Sequence, residues 1–217
     1  MYLPLANKLK TQEHIDIATL QDSAIDALYS LIPGIILHGG TAVWRCYGGN
    51  RFSEDLDIYI KSAKELDMIR KEFSWSLRKY NITLDKFNTI GNSTVIKLSS
   101  GKILLRVDVQ IAKISDSVQR TYQKADGSTF KILTLPQHAL ILEKIKAYES
   151  RRYIRDFYDI YILSEEINKK SGVAKKISLF LKDPPRPVNN NVLNSLVYSG
   201  LAPKFEDMLS ELRGRFS

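Results

Sequence analysis

The sequence predicts an α+β fold: a mixed β-sheet core with flanking helices over residues 1–135, then a helical C-terminal region over residues 136–217. Two observations carry this. Short runs with period-two polarity follow a long helix-period segment in the front of the chain. Behind Pro136 the period turns helical, broken only by Asp183-Pro184-Pro185-Arg186-Pro187. With 217 residues, 44% hydrophobic and 26% charged, the composition is that of a globular protein. A chain of this size buries about 70% of its unfolded surface, so no disulfide or metal staple is needed.

The elements follow in order. From Thr11 to Leu31, Ile15, Ile17, Ala18, Ala24, Ile25, Leu28 and Leu31 keep helical spacing, and Pro33-Gly34 ends that helix. Ile35, Ile36 and Leu37 read as a short buried strand stopping at Gly39-Gly40, where a short helix to Tyr47 begins. Gly48-Gly49-Asn50 turns the chain. Asp55 to Ile60 alternates as a strand, Leu56, Ile58 and Ile60 opposing Asp55, Asp57 and Tyr59. Ala63 to Tyr80 is a second helix. Strands are expected at Ile82–Phe87, Ser93–Leu98, Ile103–Ile111 and Phe130–Leu133, with turns at Asn92, Ser100-Gly101 and Asp126-Gly127. Pro136 suits the first position of a helix to Tyr148, and a further helix covers Arg151 to Ile167.

Thirty-two Lys and Arg against 24 Asp and Glu leave +8, a balance that suits a polyanionic partner or a basic solvated surface equally. A lone Cys46 excludes a disulfide framework and a multi-cysteine zinc site. His14, His38 and His138 are too scattered for a metal cluster. No apolar run reaches the roughly 18 residues of a membrane span. The opening MYLPLANKLK lacks the apolar region of a secretory signal, so a soluble cytoplasmic protein is expected.

Chemistry concentrates between His38 and Tyr59 (HGGTAVWRCYGGNRFSEDLDIY). Asp55 and Asp57 lie two apart on a strand, so both carboxylates point to one face. Close carboxylates repel, and a divalent cation removes that conflict; alternation on a solvated strand also produces this spacing. Gly39-Gly40-Thr41 joins a buried strand to a helix N-terminus, where exposed N–H groups favour a phosphate. Thr41 adds a hydroxyl donor, or serves only as a helix cap. Neither glycine pair fits the dinucleotide or P-loop pattern. Asp108 opposes Leu105, Val107, Val109 and Ile111 across its strand. If that strand neighbours Asp55–Ile60, three carboxylates converge, as two Mg²⁺ ions on phosphates require; otherwise Asp108 pairs with Arg106.

The segment Gly39–Arg45 followed by Ser53–Asp57 resembles the first two motifs of the AbiEii/AbiGii toxin-like nucleotidyltransferases, relatives of the MenT toxins in the DNA-polymerase-β-like superfamily. Glu143–Tyr161 (EKIKAYESRRYIRDFYDIY) resembles the third and fourth motifs, a Lys on one helix and Arg-Asp/Asp on the next. The resemblance covers roughly Ile35 to Leu163. It implies a nucleotidyltransferase-type mixed sheet, Mg²⁺ or Mn²⁺, an NTP such as ATP, and a toxin with a cognate antitoxin.

In the second block, if one helix continues, Lys144, Tyr148, Arg151, Arg155 and Asp159 form a stripe suited to a triphosphate. Ordinary ion pairs (Arg152 with Asp156, Arg155 with Asp159) explain the same spacing. The expected metal ligands are Asp55, Asp57 and Asp108, with Lys144 and Asp156 completing the catalytic set. Gly39, Gly40, Thr41, Arg45, Ser53, Lys144, Arg151 and Arg155 are expected to bind the nucleotide, the C-terminal region thereby completing the NTP site. The expected reaction moves a nucleoside monophosphate to an acceptor hydroxyl, on tRNA or another RNA. A non-catalytic nucleotide- or RNA-binding regulator, and an enzyme acting on a small hydroxylated molecule, are the alternatives.

Overall fold

A computed structural model describes residues 4–216. They form two compact units: one holds residues up to Cys46 and Phe52–Leu135, the other Tyr47–Arg51 and the chain from Pro136 onward. No described helix is long and apolar enough to cross a membrane.

The first unit contains α1 (Gln12–Leu31), β1 (Ile36–His38), α2 (Gly39–Cys46), β2 (Leu56–Ile60) and α3 (Ala63–Leu77), then β3 (Thr83–Ile90), β4 (Ser93–Ser100), β5 (Ile103–Ile111), β6 (Val118–Gln123) and β7 (Thr129–Thr134). Its seven strands make one mixed sheet in the order β3-β4-β5-β2-β1-β7-β6. The neighbours β2/β5 and β1/β7 run parallel and the other pairs antiparallel. The Thr11 and Ser62 hydroxyls accept from the third-residue N–H groups of α1 and α3, satisfying donors a helix start leaves open. Leu56, Ile58, Ile60, Ile96, Leu98, Leu105, Val107 and Val109 build the core face of the sheet with Ala18, Ala24, Ile25 and Leu28 of α1. Asp57 and Asp108 therefore face the other way.

Three elements differ from expectation. Strand β6, VQRTYQ, was not anticipated: it is a sheet edge, and Tyr122 is its one buried side chain. Asp55 precedes β2 rather than opening it. The third difference lies in the second unit, which contains α4 (Gln137–Arg151), α5 (Ile154–Leu163), α6 (Gly172–Phe180), α7 (Val192–Leu196) and α8 (Phe205–Phe216). Pro136 is the cap before α4 rather than its first residue. Arg152 takes left-handed backbone (φ 54°) and ends α4, so the continuous stripe from Lys144 to Asp159 does not form.

Tyr148, Phe157, Phe180 and Phe205 pack together in the second unit, with the Phe157–Phe205 centroids 4.7 Å apart. Residues 47–51 are tied to the α7 exit. Arg51 bridges Val197, Tyr198 N–H donates to the Asn50 carbonyl, and the Tyr198 hydroxyl donates to the Gly49 carbonyl at 3.0 Å.

Candidate active site

The acidic face is set by strand register. Parallel pairing of β2 with β5 places Asp57 directly beside Asp108, and antiparallel pairing of β1 places His38 on the other side of Asp57. Cross-strand partners share a face, so His38, Asp57 and Asp108 form one row. His38 stacks on Tyr59 at 3.8 Å between ring centroids, a packing role. Asp57 lies against the start of α2: a Cβ built on Gly39 would come within 2.0 Å of Asp57 Oδ2, and Gly39 has φ +69°. Backbone conformation and space both demand glycine there.

The loop before β2 is held from two helices. Gln21 of α1 donates through Nε2 to the carbonyls of Ser53 (2.8 Å) and Glu54 (3.0 Å). Thr41 of α2 donates its hydroxyl to the Asp55 carbonyl at 2.5 Å. The buried Thr41 hydroxyl is thus spent on positioning Asp55, which corrects its reading as a phosphate donor. Gln21 was missed by sequence reasoning, because an amide within an amphipathic helix carries no signal of its target.

Arg45 also needs correcting. Its guanidinium, with no solvent exposure, donates to the carbonyls of Gln123 and Ala18 and to Gln21 Oε1, lies 3.5 Å from Asp22, and sits over the Trp44 ring. These contacts turn its terminal amino groups into the core, where Nε is buried without a hydrogen-bond partner among the described residues, so the guanidinium is not presented to a phosphate at the surface. Its place is behind Gln21, steadying the side chain that holds the Ser53–Glu54 loop.

Arg106 forks onto Asp108, with both N···O distances 2.8 Å, and its charge also acts on Asp55 and Asp57. The hydrogen bond to Asp108 leads the causes that raise the Arg106 pKa. One guanidinium thus offsets repulsion among three carboxylates. Among the described residues no three His, Cys, Asp or Glu side chains stand ready to enclose a metal ion. The donor chemistry nonetheless fits a hard divalent cation: oxygen ligands in register on adjacent strands, with one Asp108–Arg106 pair to exchange.

The basic block of the second unit is a chain of alternating charge, buried except at Arg151, whose side chain is 42% exposed. Arg51 grips Asp159 through two contacts of 2.6 Å; Lys144 Nζ lies 2.7 Å from Asp159 and 3.4 Å from Asp156; Arg151 forks onto Asp156 at 2.7 and 2.8 Å. Asp156 and Asp159 are wholly buried, and the Lys144 side chain is 7% exposed. Burial alone raises the Asp159 pKa, but Arg51 and Lys144 outweigh it and hold the carboxyl below its ordinary value. Asp156 pairs with Arg151 and Lys144 rather than Arg152, and Asp159 with Arg51 and Lys144 rather than Arg155. Arg155 instead lies over the Tyr153 ring at 5.6 Å. Arg51 carries no local signal for this role, because its partner is 108 positions away.

Comparison with known proteins accords with this constellation. Residues 26–214 match the nucleotidyl transferase AbiEii toxin family of type IV toxin–antitoxin systems. The chain belongs to that family. Its fold is shared with two solved structures. MenT4, a nucleotidyltransferase toxin from Mycobacterium tuberculosis, has a TM-score of 0.64 at 16% identity, covering 95% of this chain and 85% of that one. JHP933 from Helicobacter pylori has a TM-score of 0.63 at 19% identity, covering 95% and 90%. No curated protein matches the sequence. The AbiEii match spans both blocks, the Gly39–Asp57 segment on the sheet and the Lys144–Asp159 segment in the helices.

Proposed function

We propose that this AbiEii-family chain is a toxin that transfers a nucleoside monophosphate from an NTP to a hydroxyl of RNA, tRNA first, in a cytoplasmic system that includes an antitoxin. What carries the reading is the register of Asp57 with Asp108 beside the glycine-bounded start of α2. Asp55, Asp57 and Asp108 are the residues to hold Mg²⁺ or Mn²⁺. When bound, the cation would polarise the phosphates and screen the charge on them.

In the proposed step the acceptor oxygen attacks the α-phosphorus. The bond from that phosphorus to its β-bridging oxygen breaks, and pyrophosphate leaves with the electron pair. Asp108 takes the hydroxyl proton once Arg106 has let go of it. Backbone N–H groups at Gly39–Gly40, with Ser53, receive phosphate oxygens, as a helix N-terminus favours. For the second unit the proposal is narrower: Arg155 binds phosphate, while Lys144, Asp156 and Arg151 hold its helix through the charge chain.

The Arg106 fork on Asp108 favours a second reading, a non-catalytic nucleotide binder whose acidic face needs no metal. Incubation with Mg²⁺, each α-labelled NTP and total RNA separates the two. Label on RNA with release of pyrophosphate supports transfer. NTP binding without pyrophosphate release supports the binder.

A further inference from the structure

Strand register places a second row of charge beside the carboxylates. On the solvent face of the sheet Lys86 of β3 pairs with Lys97 of β4, and Lys97 pairs with Arg106 of β5. Asp55 immediately precedes Leu56, the partner of Val107, and so stands level with Arg106. The parallel row one step along is Asn88, Val95, Asp108 and Asp57. Three cations directly opposite one another are unfavourable in a sheet. Both lysines are exposed, and neither has a salt-bridge partner among the described residues. A cavity of about 450 Å³ opens at the same place, lined by Lys97, Arg106, Asp55, Asp85, Glu13 and Leu104. Leu104 is 69% exposed beside these charges.

From this juxtaposition we infer that the exposed face of β3–β5 is the acceptor track: phosphates of a single-stranded nucleic-acid end lie along Lys86, Lys97 and Arg106, and its terminal nucleoside enters the cavity. The inference rests on the nucleotidyl-transfer reading and deepens it, because it gives the RNA acceptor a surface on the sheet. The cations run across the sheet toward Asp55, and Arg106 at the end of the row forks onto Asp108, so a strand held by them brings its end beside the carboxylate that takes the proton. Leu104 offers an apolar surface to a base. Glu13 and Asp85 offer acceptors to exocyclic amino groups, the way carboxylates read a base edge. A small uncharged acceptor has no use for the lysines. Arg106 links the two rows: a phosphate that draws its guanidinium away from Asp108 frees that carboxylate.

The test uses the full chain, a short fluorescein-labelled single-stranded RNA and a series of salt concentrations. Lys86→Ala/Lys97→Ala is compared with Lys131→Ala, an exposed lysine on β7 of the same sheet. Each lost phosphate contact reduces the slope of log K against log salt by about 0.7 for a single strand, so the double variant should lose roughly 1.4. Its KM for RNA should rise at least tenfold, with the Kd for NTP unchanged and the melting temperature equal to or above that of wild type, since two opposed cations are removed. Lys131→Ala should match wild type. An unchanged slope and affinity in the double variant overturns the inference. So does an equal loss in Lys131→Ala, which would mean diffuse attraction. A wild-type protein that labels no RNA, yet binds it with this lysine-dependent slope, sinks the transfer reading and leaves the phosphate row standing.

Discussion

Gly39→Ala isolates the placement of Asp57. The substitution adds one methyl group, whose carbon would fall 2.0 Å from Asp57 Oδ2 and 2.7 Å from its Cγ, on a residue at φ +69°. The backbone cost of that conformation for a residue bearing Cβ is about 1–2 kcal/mol. The clash is with the end of a side chain that can rotate, so it adds little to stability but displaces the carboxylate. A shift of about 1 Å in a reacting group costs on the order of 10²-fold in rate. Gly101→Ala supplies the control: Gly101 has φ +60° and nothing within 4 Å of a built Cβ. Both variants should lose a similar 1–2 kcal/mol in urea unfolding. Only Gly39→Ala should lose roughly 10²-fold in kcat for nucleotide transfer. Equal activity in the two variants would refute the argument that Gly39 exists to seat Asp57.

Further outcomes follow from the buried groups. Lys144→Ala strands Asp156 and Asp159 without their shared cation, and breaking such a buried network costs about 3–5 kcal/mol. Chemical denaturation should register that loss, whereas Lys146→Ala, exposed on the same helix, should cost well under about 1 kcal/mol. Asp159 has a depressed folded pKa, so its contribution is complete above the unfolded carboxyl value of about 3.9 and is lost as pH falls through the folded value. Melting temperature should therefore fall steeply below about pH 4 in wild type and less steeply in Asp159→Asn. Burial pushes the Cys46 thiol up to about 12, so a thiol reagent at pH 8 should leave it unmodified until the protein unfolds.

Much of the acidic half was legible because its signals are local. Alternation in β2 and β5 gave both carboxylates their face, and Gly39-Gly40 marked the strand-to-helix turn. Whether those strands were neighbours was the open condition, and parallel pairing met it. The failures share a cause: tertiary contacts used up groups that the sequence presented as available. Thr41 and Arg45 bear the right atoms for phosphate, yet a carbonyl and a buried cluster claim them. Arg152 ends α4 with no glycine or proline to announce it, a conformation that an L-residue adopts only where the surroundings hold it. The 108-residue separation of Arg51 from Asp159 has no periodic signature at all.

The most direct test of the account is the transfer reaction itself, run with Mg²⁺, each α-labelled NTP and total RNA, in wild type and Asp57→Asn. Asn keeps the shape of Asp57 and removes its charge, so the fold and the contact with Gly39 should persist. Label on RNA and stoichiometric pyrophosphate are expected with wild type, both lost on chelation of the metal and in Asp57→Asn. Equal labelling by Asp57→Asn, or transfer that survives chelation, would contradict this expectation.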